Sequence, residues 1–166
     1  MKPWIRLTLV VMTVGGGFAG FVITLQSLFG SLSGPVLNIV LTLVFLGLYG
    51  FVIASGLIFV HDERRTDLLV AALAIQIPSI SSSAFTYRFA AGLEVVLKVG
   101  QSENANSSGF NVSWNALIGG SGNVAFHRDA PLNFGVNCAA LAMLLVLLRT
   151  QKPSAHMSAQ ATDRPM

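Results

Sequence analysis

The chain has 166 residues, of which 53% are hydrophobic and only 10% are charged. An ordinary soluble domain carries about 25% charged residues, so this composition argues against a water-soluble protein and indicates a membrane protein. The formal charge of +3 comes from basic residues that stand at the ends of apolar stretches, which argues against a nucleic-acid partner. The single cysteine, Cys138, excludes an intramolecular disulfide and a thiolate metal cluster within one chain.

The N-terminal part of the chain contains two long apolar stretches, residues 4–29 and 36–60. Each is long enough to cross a hydrocarbon core, since a membrane helix needs about 20 apolar residues. The basic start imitates a secretory signal, but no clear A-x-A cleavage site follows, so we expect a retained first helix. Residues 30–35 contain two glycines, two serines and a proline, which predict a short uncharged loop.

Two shorter apolar stretches predict a third and a fourth membrane helix. Residues 68–85 contain a glutamine, a proline and several serines, so we expect this helix to kink or unwind at Pro78. Residues 132–149 are apolar up to Leu148 apart from Asn133 and Asn137, and they have about the minimum length for a crossing.

The basic residues near the helix ends decide between three and four crossings, because short cytoplasmic loops carry the excess of Lys and Arg. These residues are Lys2, Arg6, Arg64, Arg65, Arg149 and Lys152. Four crossings put all of them in the cytoplasm. We therefore predict a four-helix transmembrane bundle in the plasma (inner) membrane with cytoplasmic termini. Residues 150–166 are predicted to be a disordered cytoplasmic tail.

Residues 86–131 have a different periodicity from the predicted helices. Apolar and polar side chains alternate over residues 93–99 and 110–116, as in half-buried strands. Residues 101–109 form a polar connection, and the sequence Gly-Gly-Ser-Gly-Asn at 119–123 predicts a hairpin turn. The sequence thus predicts a small antiparallel β-sheet of about three strands between helices three and four, on the non-cytoplasmic side.

Small and amide side chains in the predicted helices are candidates for helix packing. Gly16 and Gly20 form a G-x-x-x-G pattern, and Gly47 and Gly50 form a second small-residue surface. Such residues let two backbones approach closely, either within one bundle or in a dimer. Four amides are candidates for hydrogen bonds across helices or, in a homo-oligomer, for lining a pore: Asn38, Gln76, Asn133 and Asn137.

Few residues carry the chemistry of an active site. Residues 61–63, a histidine and two acids, are consecutive and so cannot converge on a metal from one helix face. His127 stands beside Arg128 and Asp129 and is a candidate acid or base, but no positioned nucleophile or metal accompanies it. The sequence therefore predicts no cofactor and no metal site.

The leading hypothesis is a non-enzymatic accessory, scaffold or assembly subunit that binds a membrane-protein partner through its helices and its sheet. The candidate partner-binding residues are Phe110, Val112, Trp114 and His127. Two alternatives stay open: a homo-oligomeric channel or transporter component, and a membrane enzyme that acts on a lipid or an envelope precursor. All three place the chain in a lipid bilayer.

Overall fold

The computed structural model describes residues 2–32, 34–63, 65–101, 110–125 and 132–151, which form helices and one small antiparallel sheet. The helices are α1 (Pro3–Val10), α2 (Gly16–Ser31), α3 (Val36–His61), α4 (Asp67–Ile75) and α5 (Cys138–Gln151), and the π-helical segment Val11–Gly15 joins α1 to α2. The strands are β1 (Pro78–Ser81), β2 (Thr86–Gln101), β3 (Phe110–Ala125) and β4 (Asn133–Asn137). The predicted tail lies outside the described residues from position 152 onward.

Two helices are long and apolar enough to cross a membrane by length and composition, over Pro3–Gly30 and Val36–His61. An ion pair joins the start of the first to the segment after the second, with the Arg6 Nη1 2.6 Å from Glu63 Oε1. The Arg6 Nη2 also donates a hydrogen bond to the Val60 carbonyl. The charged residues at the start of the first long helix and those after the second therefore lie at the same end of the helix pair. We call this end the charged end.

The helix predicted over residues 68–85 is wrong beyond Ile75, where α4 ends after nine residues. The Gln76 side chain stops the helix, since its Nε2 donates to the Ala72 carbonyl and its Oε1 accepts from the Ala91 N–H, both at 2.8 Å. Pro78 then begins β1, a position where its missing N–H costs no ladder hydrogen bond. The serines that diluted the apolar stretch belong to this strand and its turn.

The helix predicted over residues 132–149 is also wrong in its first part, because residues 133–137 form β4. The helix α5 begins at Cys138 and has 14 residues, about 21 Å at 1.5 Å per residue. Asn137 starts it as a helix cap, since its Oδ1 accepts hydrogen bonds from the N–H groups of Ala139 and Ala140. The described chain thus has two helices of membrane-spanning length and not the predicted four.

The sheet has four strands in the order β1-β4-β2-β3, with every neighbouring pair antiparallel. Along its whole length β2 pairs with β3. Its other edge pairs with β1 near the start and with β4 near the end, and β1 and β4 also pair with each other. Among the described strands, β3 is therefore the one with an edge that no strand pairs along its whole length.

The glycine-rich segment 119–123, which predicted a hairpin turn, lies inside β3. The reason is packing: a Cβ at Gly120 would collide with the backbone of Gly20 in α2. Glycine in a strand often marks such a close approach of another backbone. The residues that suggested a turn are those that let the strand cross a helix.

Two apolar clusters hold the helices and the sheet together. One joins the sheet to α3, where the Phe89 ring lies 4.9 Å from the Tyr49 ring and 6.0 Å from the Phe45 ring, centroid to centroid. The other lies toward the charged end and contains Leu9, Phe59, Leu69, Leu73 and Leu147. The short helices therefore cover one half of the helix pair, and the sheet covers the flank of the other half.

Candidate functional site

One face of the sheet carries large apolar side chains that the chain leaves exposed. Register places Leu97 opposite both Trp114 and Val136, and Val99 opposite both Val112 and Phe134. Opposite residues in a sheet present their side chains on the same face. We call these six residues the apolar face: Leu97, Val99, Val112, Trp114, Phe134 and Val136. Their exposed fractions run from 41% to 76%.

Two further exposed apolar residues of β3 lie beyond the two ends of the apolar face. Phe110 is 87% exposed and Ile118 is 82% exposed, and both have the same parity in the strand as Trp114. The structure therefore brings together three of the predicted partner-binding residues, Phe110, Val112 and Trp114. The fourth, His127, lies outside the described residues, so its role stays a prediction.

The unpaired edge of β3 lies beside the apolar face. Its 16 residues include no charged residue and no proline. Natural proteins usually protect an edge strand with Lys, Pro or a covering segment, because free N–H and C=O groups pair readily with another strand. This edge carries none of those side-chain defences.

The opposite face of the sheet carries polar side chains around a cleft of about 180 Å³. All four strands contribute to the cleft, which we call the polar cleft. Its lining residues are Ser79, Ile80, Ser81, Thr86, Arg88, Lys98, Asn123, Asn133 and Gly135. The two faces differ because successive side chains of a strand project to opposite sides of the sheet.

A buried ion pair supports one wall of the polar cleft. Glu94 is 2% exposed, and its carboxylate accepts hydrogen bonds from Arg88 Nε at 2.6 Å and Arg88 Nη2 at 2.9 Å. The Ser121 hydroxyl donates a third hydrogen bond at 2.6 Å. These three hydrogen bonds and the charge of Arg88 offset the free-energy cost of burying the carboxylate. Sequence reasoning missed this pair, although Arg88, Glu94 and Lys98 share one parity in β2.

The glycines predicted for helix packing divide into two groups. Gly16 and Gly20 lie at tight contacts: a Cβ at Gly16 would collide with the Gly92 backbone, and one at Gly20 would collide with the Tyr49 ring. The G-x-x-x-G pattern thus packs one residue against the sheet and one against α3. Gly92 has φ +100°, and a Cβ there would enter the Met12 carbonyl in the π-helical segment.

The second predicted glycine pair makes no such contact. A Cβ at Gly47 or at Gly50 would have no atom within 4 Å among the described residues. The tight glycine on α3 is Gly56, where a Cβ would lie 2.8 Å from the Thr13 hydroxyl. Gly56 lies on the same helix as Gly47 and Gly50, and spacing alone does not tell which of these glycines faces a neighbour.

The four amides predicted for helix contacts occupy four different environments. Gln76 and Asn137 are each 1% exposed and hydrogen-bond to the backbone of their own chain. The Asn137 Oδ1 also accepts from the Val95 N–H at 3.2 Å. Asn133 lines the polar cleft, and Asn38 is exposed on α3. The fold brings Asn133 and Asn137 into one strand but does not bring all four together.

Acid–base groups outside the buried ion pair are few in the described part of the chain. Burial raises the pKa of the Tyr87 hydroxyl above its ordinary value, so it remains a donor to the Ile75 carbonyl at 3.0 Å. No group of three or more His, Cys, Asp or Glu residues close enough to hold a metal ion occurs within residues 2–32, 34–63, 65–101, 110–125 and 132–151.

No protein-family model matches the chain, and comparison with curated proteins and with solved structures finds no similar protein. The function is therefore inferred from the two faces of the sheet and from the helices that carry it.

Proposed function

We propose that the chain is a non-enzymatic membrane subunit that assembles with a membrane-protein partner through its apolar face and the free edge of β3. The apolar face is the observation that carries this proposal. A continuous exposed apolar surface on three neighbouring strands is unusual for a protein that works alone in water, and it marks a surface that another molecule covers.

The long helices support a membrane location. In the most apolar window of Val36–His61, only 17% of the residues are buried inside the chain. The core helix of a soluble protein is mostly buried, so this helix leaves its apolar surface for lipid or for a partner helix. We propose that the charged end faces the cytoplasm, because Lys and Arg are enriched in cytoplasmic segments.

Continuity with a packed surface supports the sheet as the binding element. Phe89 and Ala91 have the same parity in β2 as Leu97 and Val99. The first two are 2% and 1% exposed because the chain's own helices cover them, whereas Leu97 and Val99 are 46% and 45% exposed. A partner on the apolar face would extend the core along the same face of the same strand.

The alternative of a homo-oligomeric channel has less support. Its four candidate pore-lining amides include Gln76 and Asn137, whose side chains are buried and bonded within the chain. A pore would have to be built from other polar groups. The enzyme alternative depends on His127, which lies outside the described residues.

The test compares two double variants of the full chain. V112S/W114S places hydroxyls on the apolar face, and the control S113A/N115A changes the exposed opposite face of the same strand. Each tagged protein is purified from native membranes in mild detergent, and its stoichiometric partners are identified by mass spectrometry. We expect the wild type and the control to retain one foreign membrane protein and V112S/W114S to lose it.

Two results would count against the proposal. One is a homogeneous homo-oligomer with no foreign protein in stoichiometric amount. The other is a partner that V112S/W114S retains as well as the wild type does. Circular dichroism of the purified variants checks that each has kept its fold.

A further inference from the structure

The polar cleft has a positive charge that the described chain does not fully use. Arg88 and Lys98 line it, and no Asp or Glu is among its lining residues. Glu94 neutralises Arg88 through the bidentate contact described above. Within the described residues Lys98 makes no ion pair, so the cleft keeps one positive charge in excess.

The Arg88 side chain is held in place before any ligand arrives. The contact with Glu94 uses the Nε and Nη2 groups of Arg88, and the Nη1 hydrogens have no acceptor in the described part of the chain. A guanidinium that is fixed on one side by a carboxylate loses little side-chain entropy when its other side binds an anion. The geometry thus presents a rigid cation beside a half-buried ammonium.

Neutral hydrogen-bonding groups complete the lining from the other strands. Ser79 comes from β1, Thr86 from β2 and Asn123 from β3. Ser81 and Thr86 hydrogen-bond to each other through their hydroxyls at 3.0 Å. Donors that surround a small cavity on several sides match a tetrahedral oxyanion, which accepts hydrogen bonds at every oxygen.

We propose that the polar cleft binds a phosphate group. The cavity of about 180 Å³ has room for a phosphate, and its one excess positive charge, together with the Nη1 hydrogens of Arg88, suits a group that carries a negative charge and several acceptor oxygens. The group comes either from free phosphate or from the headgroup of an anionic phospholipid. The site is separate from the proposed partner surface, since Lys98 and the apolar residues on either side of it project from opposite faces of β2.

The test uses the full chain in phosphate-free maltoside detergent. Inorganic phosphate is titrated calorimetrically in one arm. In the other arm, native mass spectrometry measures retained phosphatidylglycerol against phosphatidylcholine. The variant Lys98→Gln removes the excess charge, and the control Lys2→Gln makes the same change at an exposed position far along the chain. Asn123→Ala, at an exposed position, is a second cleft variant with small risk to the fold.

We expect Lys98→Gln to weaken binding by about tenfold or more and Asn123→Ala to weaken it severalfold, because a hydrogen bond to a charged group is lost. Lys2→Gln should bind as the wild type does. If Lys98→Gln weakens the binding of inorganic phosphate, the ligand is free phosphate. If it weakens only the retention of phosphatidylglycerol, the ligand is the phospholipid headgroup. The proposal is overturned if the wild type binds neither probe, or if the Lys98 and Lys2 variants behave alike.

Discussion

The two halves of the β2–β3 hairpin are made of the same paired strands but have different surroundings. The helix-packed half, residues 86–92 and 119–125, is covered by the chain's own helices, and Phe89 there is 2% exposed. The open half, residues 93–101 and 110–118, leaves Trp114 on the same face 76% exposed. The comparison shows that the chain's own helices cover one half of an apolar surface and leave the other half exposed.

The difference has an energetic meaning. Full burial of a large apolar side chain stabilises a fold or a complex by about 1.5 to 3 kcal/mol. The helix-packed half has already gained this free energy in folding. The six partly exposed side chains of the apolar face, four in the open half and two in the neighbouring strand β4, still have it to gain. A partner that covers them would therefore add a driving force for assembly.

The largest expected effect on the free energy of unfolding comes from comparing a substitution in the helix-packed half with one in the open half. Phe89→Ala removes a buried ring that packs against Tyr49 and Phe45, and we expect it to lower the free energy of unfolding by about 3–5 kcal/mol. The control is Val112→Ala in the open half, which should cost less than about 0.5 kcal/mol. Chemical denaturation in detergent, followed by circular dichroism, measures both. Equal losses would contradict the comparison.

The next effect tests the close contact between the helix-packed half and the first helix. In Gly92→Ala the new methyl group meets the Met12 carbonyl at a residue with φ +100°, so we expect a loss of about 3 kcal/mol from strain and overpacking. Its register partner Gly119 also has a positive φ, but a Cβ there meets nothing within 4 Å in the described chain. Gly119→Ala should therefore cost only about 1–2 kcal/mol.

A third prediction concerns the buried charge behind the polar cleft. Glu94→Ala leaves Arg88 without its carboxylate, and we expect a loss of about 2–3 kcal/mol, reduced from the fully buried case because the Arg88 side chain is 23% exposed. Glu63, which pairs with Arg6 at the same 2.6 Å distance, is the matched control because the Arg6 and Glu63 side chains are 37% and 46% exposed. Glu63→Ala should cost at most about 1 kcal/mol. Similar losses for the two variants would show that burial does not matter here.

The smallest stability effect concerns the amides. Asn137→Ala removes the cap of α5 and the hydrogen bond from the Val95 N–H, so we expect a loss of about 1–2 kcal/mol. Asn38→Ala, at an exposed position on α3, should change the free energy of unfolding by less than about 0.5 kcal/mol. A larger effect at Asn38 than at Asn137 would contradict this prediction and would support a role of Asn38 in contacts between copies of the chain.

Local pattern was sufficient to predict the parts of the fold that depend on neighbours in sequence. Hydropathy located both long helices to within a few residues, and the alternation over residues 93–99 and 110–116 located the open half of the hairpin. The same alternation placed Val112 and Trp114 on one face. These features follow from the periods of the helix and the strand, which a single sequence records.

The parts that the sequence did not predict depend on contacts between distant residues. β1 and β4 are short and lie within apolar stretches, and their strand conformation comes from pairing with each other and with β2. The glycines of segment 119–123 predicted a turn because α2, the helix that packs against them, is about 100 residues away in the sequence. The Arg88–Glu94 pair could not be predicted because the alternation of apolar and polar residues begins only at position 93, whereas β2 begins at Thr86.

Site-specific photocrosslinking in native membranes tests the central claim most directly. A photoreactive amino acid replaces Trp114 on the apolar face in one protein and Ser113 on the opposite face in another, and the products are separated by mass. If a partner covers the apolar face, position 114 gives one discrete adduct with a foreign membrane protein and position 113 does not. Adducts with lipid alone at position 114, or the same protein adduct from both positions, would contradict it.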